Sequence, residues 1–234
     1  MDLWTNLPKI RLTPDISLRV LALNCVNKHY SGLWSMMYDN GFSQVKWARH
    51  DLTRLPRDFF EELGPVWNKG CALLADYPRM VAQVELDVLI AQQLGINLDQ
   101  LCSIYRIQFP VTKQYEKDTW YDTAGKIIFT NSKGLSGVGI PRKRKHTDAV
   151  IRTVFMDGSV REVDGWDEVR ELQEAGGLPD GTVVSTVVMD DTQPGGPVRR
   201  ERKYVAPFAL ANREEDYRIA WEFFERKKAA EAKT

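Results

Sequence analysis

The stretch Val150-Ile151-Arg152-Thr153-Val154-Phe155-Met156-Asp157-Gly158-Ser159-Val160-Arg161-Glu162-Val163 places two β-branched runs on either side of an Asp-Gly pair. β-Branched residues suit a pleated, half-buried surface, and Asp-Gly supplies the positive φ that a tight hairpin turn requires. This is an antiparallel hairpin. The same period of two appears upstream, where Thr119-Trp120-Tyr121 and Lys126-Ile127-Ile128-Phe129-Thr130 flank Asp122-Thr123-Ala124-Gly125. It appears again downstream in Thr182 to Met189 and Val198 to Val205, joined through Asp190 to Pro197. Between the second and third pairs, Asp164-Gly165-Trp166-Asp167-Glu168 opens a short helix to Leu172, and the glycine-rich segment 176–181 is a loop.

Before residue 110 the period is 3.6. Apolar positions from Leu18 through Met37 recur at three- and four-residue steps, which predicts one helix with Ser17 as N-cap and Asn40-Gly41 as its end. Leu55 to Gly64 reads as a short helix. Pro78 opens a helix to Gly95 that is apolar around most of its circumference, so it belongs near the centre of a core. Asn97 with Gln100 has the form of a capping box, and Phe109-Pro110 ends the helix that follows. Asn212 with Glu215 starts a last helix carrying Tyr217, Ala220, Trp221 and Phe224 on one stripe, with fraying expected after Ala229. Helices, then hairpins, then a helix make an α+β fold: a helical N-terminal half, an antiparallel hairpin-rich sheet and a closing C-terminal helix. The corresponding divisions are 1–110, 111–211 and 212–234.

The 234 residues are long enough to bury a sizeable core, and 43% of them are hydrophobic, which excludes a wholly disordered chain. No run of about 18 apolar residues occurs, so no membrane partner is expected. Met1-Asp2-Leu3-Trp4 starts acidic and soon meets Pro8, unlike a secretory signal. Cys25, Cys71 and Cys102 are too few for a disulfide framework, which points to a reducing cytoplasm.

Formal net charge is zero, from 32 basic and 32 acidic side chains. That balance conceals segregation. Residues 111–147 carry 8 basic and 3 acidic side chains, while residues 148–197 carry 3 basic and 11 acidic ones. Such blocks either leave a local positive surface or pair with one another.

Four motifs bear on chemistry. Cys25 and His29 share a face of the expected helix, but a structural zinc needs two further ligands, and a buried thiol beside a histidine is the simpler account. Gly134 to Gly139 has the wrong spacing for a nucleotide loop and leads instead into Arg142-Lys143-Arg144-Lys145-His146. That run reads either as phosphate contacts or as a solvated loop. Asp190-Asp191 followed by Glu201-Arg202-Lys203 matches the pattern of a Mg²⁺ nuclease, with Asp191 and Glu201 as ligands and Lys203 beside the attacking water; an ordinary hairpin explains the same residues. Trp120-Tyr121, next to the carboxylates Glu116, Asp118 and Asp122, reads as core packing ahead of base stacking.

Longer stretches carry a resemblance. Tyr105 to Val111, Gln114 to Asp122, Gly125 with Phe129 to Leu135, and Gly137 to Pro141 resemble the C-terminal region of large bacterial adenine-N6 DNA methyltransferases of restriction-modification systems, those with an Eco57I-like methylase domain. Met189 to Thr192 with Pro194 to Pro197, Ala206 to Phe208 and Arg213 to Trp221 are similar to the same region, so the likeness covers about residues 20–226. The methylase domain of that family uses a glycine-rich cofactor loop and an Asn/Asp-Pro-Pro-Tyr/Phe segment that holds the extruded adenine. Neither occurs in this sequence.

The resemblance therefore implies a non-catalytic DNA-associated accessory or target-recognition module of such a methyltransferase, serving restriction or phage defence. It is either part of a larger protein or a separate subunit. Expected partners are double-stranded DNA and a methyltransferase domain or subunit. S-adenosylmethionine would be held by that methylase, with no cofactor or metal in this chain. Expected phosphate contacts are Arg142, Lys143, Arg144 and Lys145, joined by Arg199, Arg200, Arg202 and Lys203 if these lie on one face. An assembly scaffold that docks the methylase without touching DNA is the alternative, and the Mg²⁺ nuclease a third.

Overall fold

A computed structural model describes residues 9–51, 53–132, 135, 137–146, 148–191 and 194–232. The expected start at Met1 to Pro8 and parts of the glycine segment (Lys133, Gly134 and Ser136) lie outside them, as does Thr192. The architecture is α+β. Two compact units are present: the chain up to Lys113 together with the segment from Asn212 onward, and Gln114–Ala211.

The first unit is helical, with α1 (Pro14–Asn24), α2 (Ser31–Met37), α3 (Asp76–Gln93), α4 (Leu98–Gln108) and α7 (Arg213–Glu231). The expected single helix from Ser17 is in fact two. Its N-cap lies four residues earlier, where the Thr13 hydroxyl accepts from the Ile16 amide and Pro14 presets φ in the first turn. It breaks after Asn24. In an unbroken helix the Cys25 carbonyl would accept from the His29 amide. Instead that carbonyl takes the Trp67 indole N–H at 2.8 Å, and the His29 amide turns to Asn27 Oδ1 at 3.0 Å. Cys25 is buried and His29 exposed, so the two share no helix face. The segment Leu55 to Gly64 forms turns rather than a helix.

The capping box is present: Asn97 Oδ1 accepts from the Gln100 amide and Gln100 Oε1 from the Asn97 amide, both at 2.9 Å. Phe109-Pro110 does end α4. Pro110 then begins a further helix, α5 (Pro110–Glu116), because its fixed φ fits a first helical position. α7 is capped by Asn212, continues past Ala229 to Glu231 and packs on α3.

Inside this unit Arg19, fully buried, donates to Glu85 Oε2 at 2.6 Å and to the Lys46 carbonyl at 2.8 Å. Asp15 accepts from Arg19 and from Lys227 of α7. Burial pushes the Glu85 carboxyl above the ordinary carboxylate range even with Arg19 beside it. All three cysteine thiols are buried, and burial raises their pKa, which makes them poor nucleophiles.

The second unit holds two antiparallel sheets where one was expected. β1 (Thr119–Tyr121) lies between β2 (Ile127–Thr130) and the two-residue β7 (Ala209–Leu210), which no period-two pattern announces. The larger sheet has the order β4-β3-β5-β6, from β3 (Ile151–Val154), β4 (Val160–Val163), β5 (Val183–Asp190) and β6 (Val198–Val205). All three expected hairpins form. A short helix, α6 (Trp166–Glu174), packs its Trp166 and Val169 into a core with Ile128, Phe129, Ile151, Val184, Tyr204 and Phe208. Asp122, wholly buried at the end of β1, ties the sheets together. Its carboxylate accepts from the Ala124 and Lys126 amides at 2.9 and 2.8 Å and from the Val205 amide of β6 at 3.3 Å. Among the described residues, no helix is long and apolar enough to cross a membrane.

Candidate nucleic-acid interface

The basic run is attached to the second unit by its backbone. Residues 137–144 lie across β2 and the start of α6. The Ile140 amide donates to the Ile128 carbonyl at 2.7 Å, and the Trp166 and Asp167 amides donate to the Pro141 and Arg142 carbonyls at 2.9 and 3.2 Å. The first turn of α6 is thus capped by loop carbonyls rather than left open for an anion. Two glycines permit this close approach. Gly139 has φ +72°, and a Cβ there would lie 2.2 Å from the Ile128 carbonyl oxygen. Gly165 has φ +148°, and a Cβ there would lie 2.4 Å from the Arg142 carbonyl oxygen. The glycine segment before the basic run therefore serves close packing of the backbone at Gly139.

Arg142 departs from the expected role. Its guanidinium donates to Asp118 through Nη2 and to Asp167 through Nη1 at 3.0 Å, and lies 4.8 Å from the centre of the Phe129 ring. The bond from Asp118 makes this already strong base stronger still. Trp166 stacks parallel to Phe129, with centroids 5.5 Å apart, and Trp120 tilts against Trp166. Trp120 is spent on this packing, and Tyr121, the next residue of β1, is buried. Lys143, Arg144 and Lys145 differ. Among the described residues, no carboxylate bridges to any of their side chains, and Lys143 and Lys145 are exposed. Their backbone is held all the same, with the Arg144 amide on the Asp164 carbonyl and the Lys145 amide on Asp148 Oδ2 at 2.8 Å.

The second basic stretch is divided by its strand. Side chains alternate across a sheet, so Arg200 and Arg202 point to one face of β6 while Arg199, Glu201 and Lys203 point to the other. The condition that all four lie on one face is therefore not met. The register pairs Thr186 with Arg202 and Val188 with Arg200, which puts these two arginines on the face that carries the core residues Val184 and Tyr204. Arg200 meets Asp190 at 2.9 Å and Arg202 donates to the Gly137 carbonyl. Lys203 pairs with Glu201 at 3.1 Å on the opposite face, and Arg199 has no ion-pair partner among the described residues. The acidic and basic blocks thus pair in part, through Arg142 with Asp167 and Arg200 with Asp190.

A cavity of about 630 Å³ lies between the loop and the sheet, lined by Asn131, Ile140, Arg142, Asp148, Thr186 and Val188 among others. The segment from Gly137 to Arg142 and the β5 residues Thr186 to Met189 therefore border one concavity. Burial raises the Asp122 carboxyl, whose described hydrogen bonds all come from backbone amides.

The nuclease pattern does not assemble. Glu201 lies opposite Val187, and Asp191 is four residues beyond that point, roughly 13 Å along the strand. Two carboxylates on one Mg²⁺ each approach to about 2.1 Å. Asp190 lies on the other face, with Arg200. Among the described residues, no three His, Cys, Asp or Glu side chains gather as metal ligands. No family model matches the chain, and no curated protein or solved structure matches it.

Proposed function

We propose that this chain is a non-catalytic DNA-associated accessory or target-recognition module of an adenine-N6 DNA methyltransferase, acting in the bacterial cytoplasm in restriction or phage defence. The observation that carries the DNA contact is the run Lys143-Arg144-Lys145, whose side chains have no ion-pair partner among the described residues and whose backbone is fixed next to a cavity that Arg142 lines. Point charges on a fixed loop suit phosphate binding, which orients a duplex without reading its sequence. The methyltransferase assignment rests on the sequence resemblance. Methyl transfer, and the S-adenosylmethionine it consumes, would belong to the partner domain or subunit.

The test is an anisotropy titration of a labelled duplex with the full chain over a series of salt concentrations. Binding should weaken steeply with salt, and a slope near zero, or no binding at low salt, overturns DNA contact.

A scaffold role has one observation in its favour. Ile107, Phe109 and Val111, where α4 gives way to α5, are 71%, 52% and 57% exposed, an apolar run that a docking partner would cover. Co-purification with a methylase subunit, without any salt-dependent DNA shift, would select that reading.

A further inference from the structure

Arg142 is the residue of the basic run whose charge is already answered. Two carboxylates hold its guanidinium, from Asp118 before β1 and from Asp167 in the first turn of α6, and the flat group lies over Phe129. The fork of a guanidinium can bridge two carboxylates and stack on a ring at once, whereas an ammonium is a compact point charge and cannot do both. One positive charge between two negative ones presents no net attraction to a phosphate. What the bracket does is tie β1, β2 and α6 together beside the strap formed by residues 137–144. The next three side chains then leave from a backbone fixed by the Arg142 carbonyl and the Arg144 amide.

We propose that Arg142 is a positioning residue of the DNA-binding face: it does not touch phosphate, but holds Lys143, Arg144 and Lys145 in the arrangement that does. This rests on the DNA-binding proposal above. Pre-organised charges lose less freedom on binding than charges on a loose loop, so the bracket adds affinity without adding a phosphate contact.

Salt dependence separates the two roles, because each phosphate contact contributes about one unit to the slope of log K against log salt and a positioning residue contributes none. The experiment titrates a labelled duplex with wild type, R142Q, R142K and K143A across the salt series, with amide hydrogen exchange of residues 140–145 in each free protein. Expected for R142Q and R142K alike is binding weaker by about tenfold with the wild-type slope, and faster exchange in the strap. K143A should lose about one unit of slope and keep wild-type exchange. If R142K binds like wild type while R142Q loses a unit of slope, Arg142 is a direct contact and the inference fails. If exchange and affinity are unchanged in both variants, the bracket positions nothing and the inference fails. If wild type itself shows no salt-dependent binding, the DNA-binding proposal falls and this role falls with it, while faster exchange in R142Q would still separate that failure from the absence of a bracket.

Discussion

Arg19 Nε and Glu85 Oε2 meet at 2.6 Å between α1 and α3, and neither side chain is more than 1% exposed. The second oxygen of Glu85 takes the Ala48 amide at 2.6 Å, so one carboxylate serves a cation and a connecting segment at once. Two charges removed from water stabilise little in net terms, but losing one of them strands the other.

Glu85→Leu should therefore destabilise the chain by about 3–5 kcal/mol, since it leaves the Arg19 guanidinium buried without its principal partner. The double substitution Arg19→Met with Glu85→Leu should recover much of that loss. Urea unfolding followed by tryptophan fluorescence measures both. A double variant no more stable than Glu85→Leu would contradict the account.

Asp122 predicts a pH dependence. Burial holds its carboxyl above the ordinary value of 3.8, so the native state keeps a proton that the unfolded chain has already released. Stability from that proton is complete below about pH 3.8 and is lost as pH rises through the folded-state pKa. Asp122→Asn cannot titrate. The stability of wild type relative to Asp122→Asn should thus be greatest in acid and shrink toward neutral pH, as urea midpoints of both proteins at pH 4, 5 and 7 would record. A constant difference across that range would mean that the carboxyl has no raised pKa.

Gly139 and Gly158 both have positive φ, at +72° and +84°, but only Gly139 is crowded. Gly158→Ala meets nothing within 4 Å and should cost about 1–2 kcal/mol, the price of left-handed backbone for an L residue. Gly139→Ala must also displace the strap from the Ile128 carbonyl, breaking the Ile140 hydrogen bond, and should cost more, by at least about 1 kcal/mol. Equal urea midpoints for the two variants would rule out the close approach.

Local chemistry was legible in the sequence, and long-range chemistry was not. Asn97 caps its helix through an amide three residues away and Asp157-Gly158 closes a turn on itself, so both could be read from their neighbours. The break after α1 depends on Trp67, 42 residues from the Cys25 carbonyl it satisfies. Arg142 was legible as a cation in a basic run. Its partners Asp118 and Asp167 lie 24 and 25 residues away in opposite directions, and nothing in the run itself announces them. The division of Arg199, Arg200, Arg202 and Lys203 was different, because consecutive residues on a recognised strand must alternate faces, and period two alone separates them.

That alternation gives the sharpest test of which surface meets DNA. If the duplex lies on the side of the sheet that carries Arg200, then Arg199 and Lys203 face away from it with Glu201. Lys143→Ala and Lys145→Ala should each lower the salt slope by about one unit. Arg199→Ala and Lys203→Ala should leave the slope unchanged and shift affinity by no more than about twofold, the small effect of a distant charge screened over roughly 8–10 Å of salt solution. Arg200→Ala has an added consequence: it also removes the ion pair with Asp190 at 2.9 Å, so part of its effect on affinity comes from that lost pair. Titration of one duplex with these five variants at matched salt concentrations decides the matter. Loss of a slope unit in Arg199→Ala or Lys203→Ala, with none in Lys143→Ala or Lys145→Ala, would move the DNA-binding surface to the other face of the sheet.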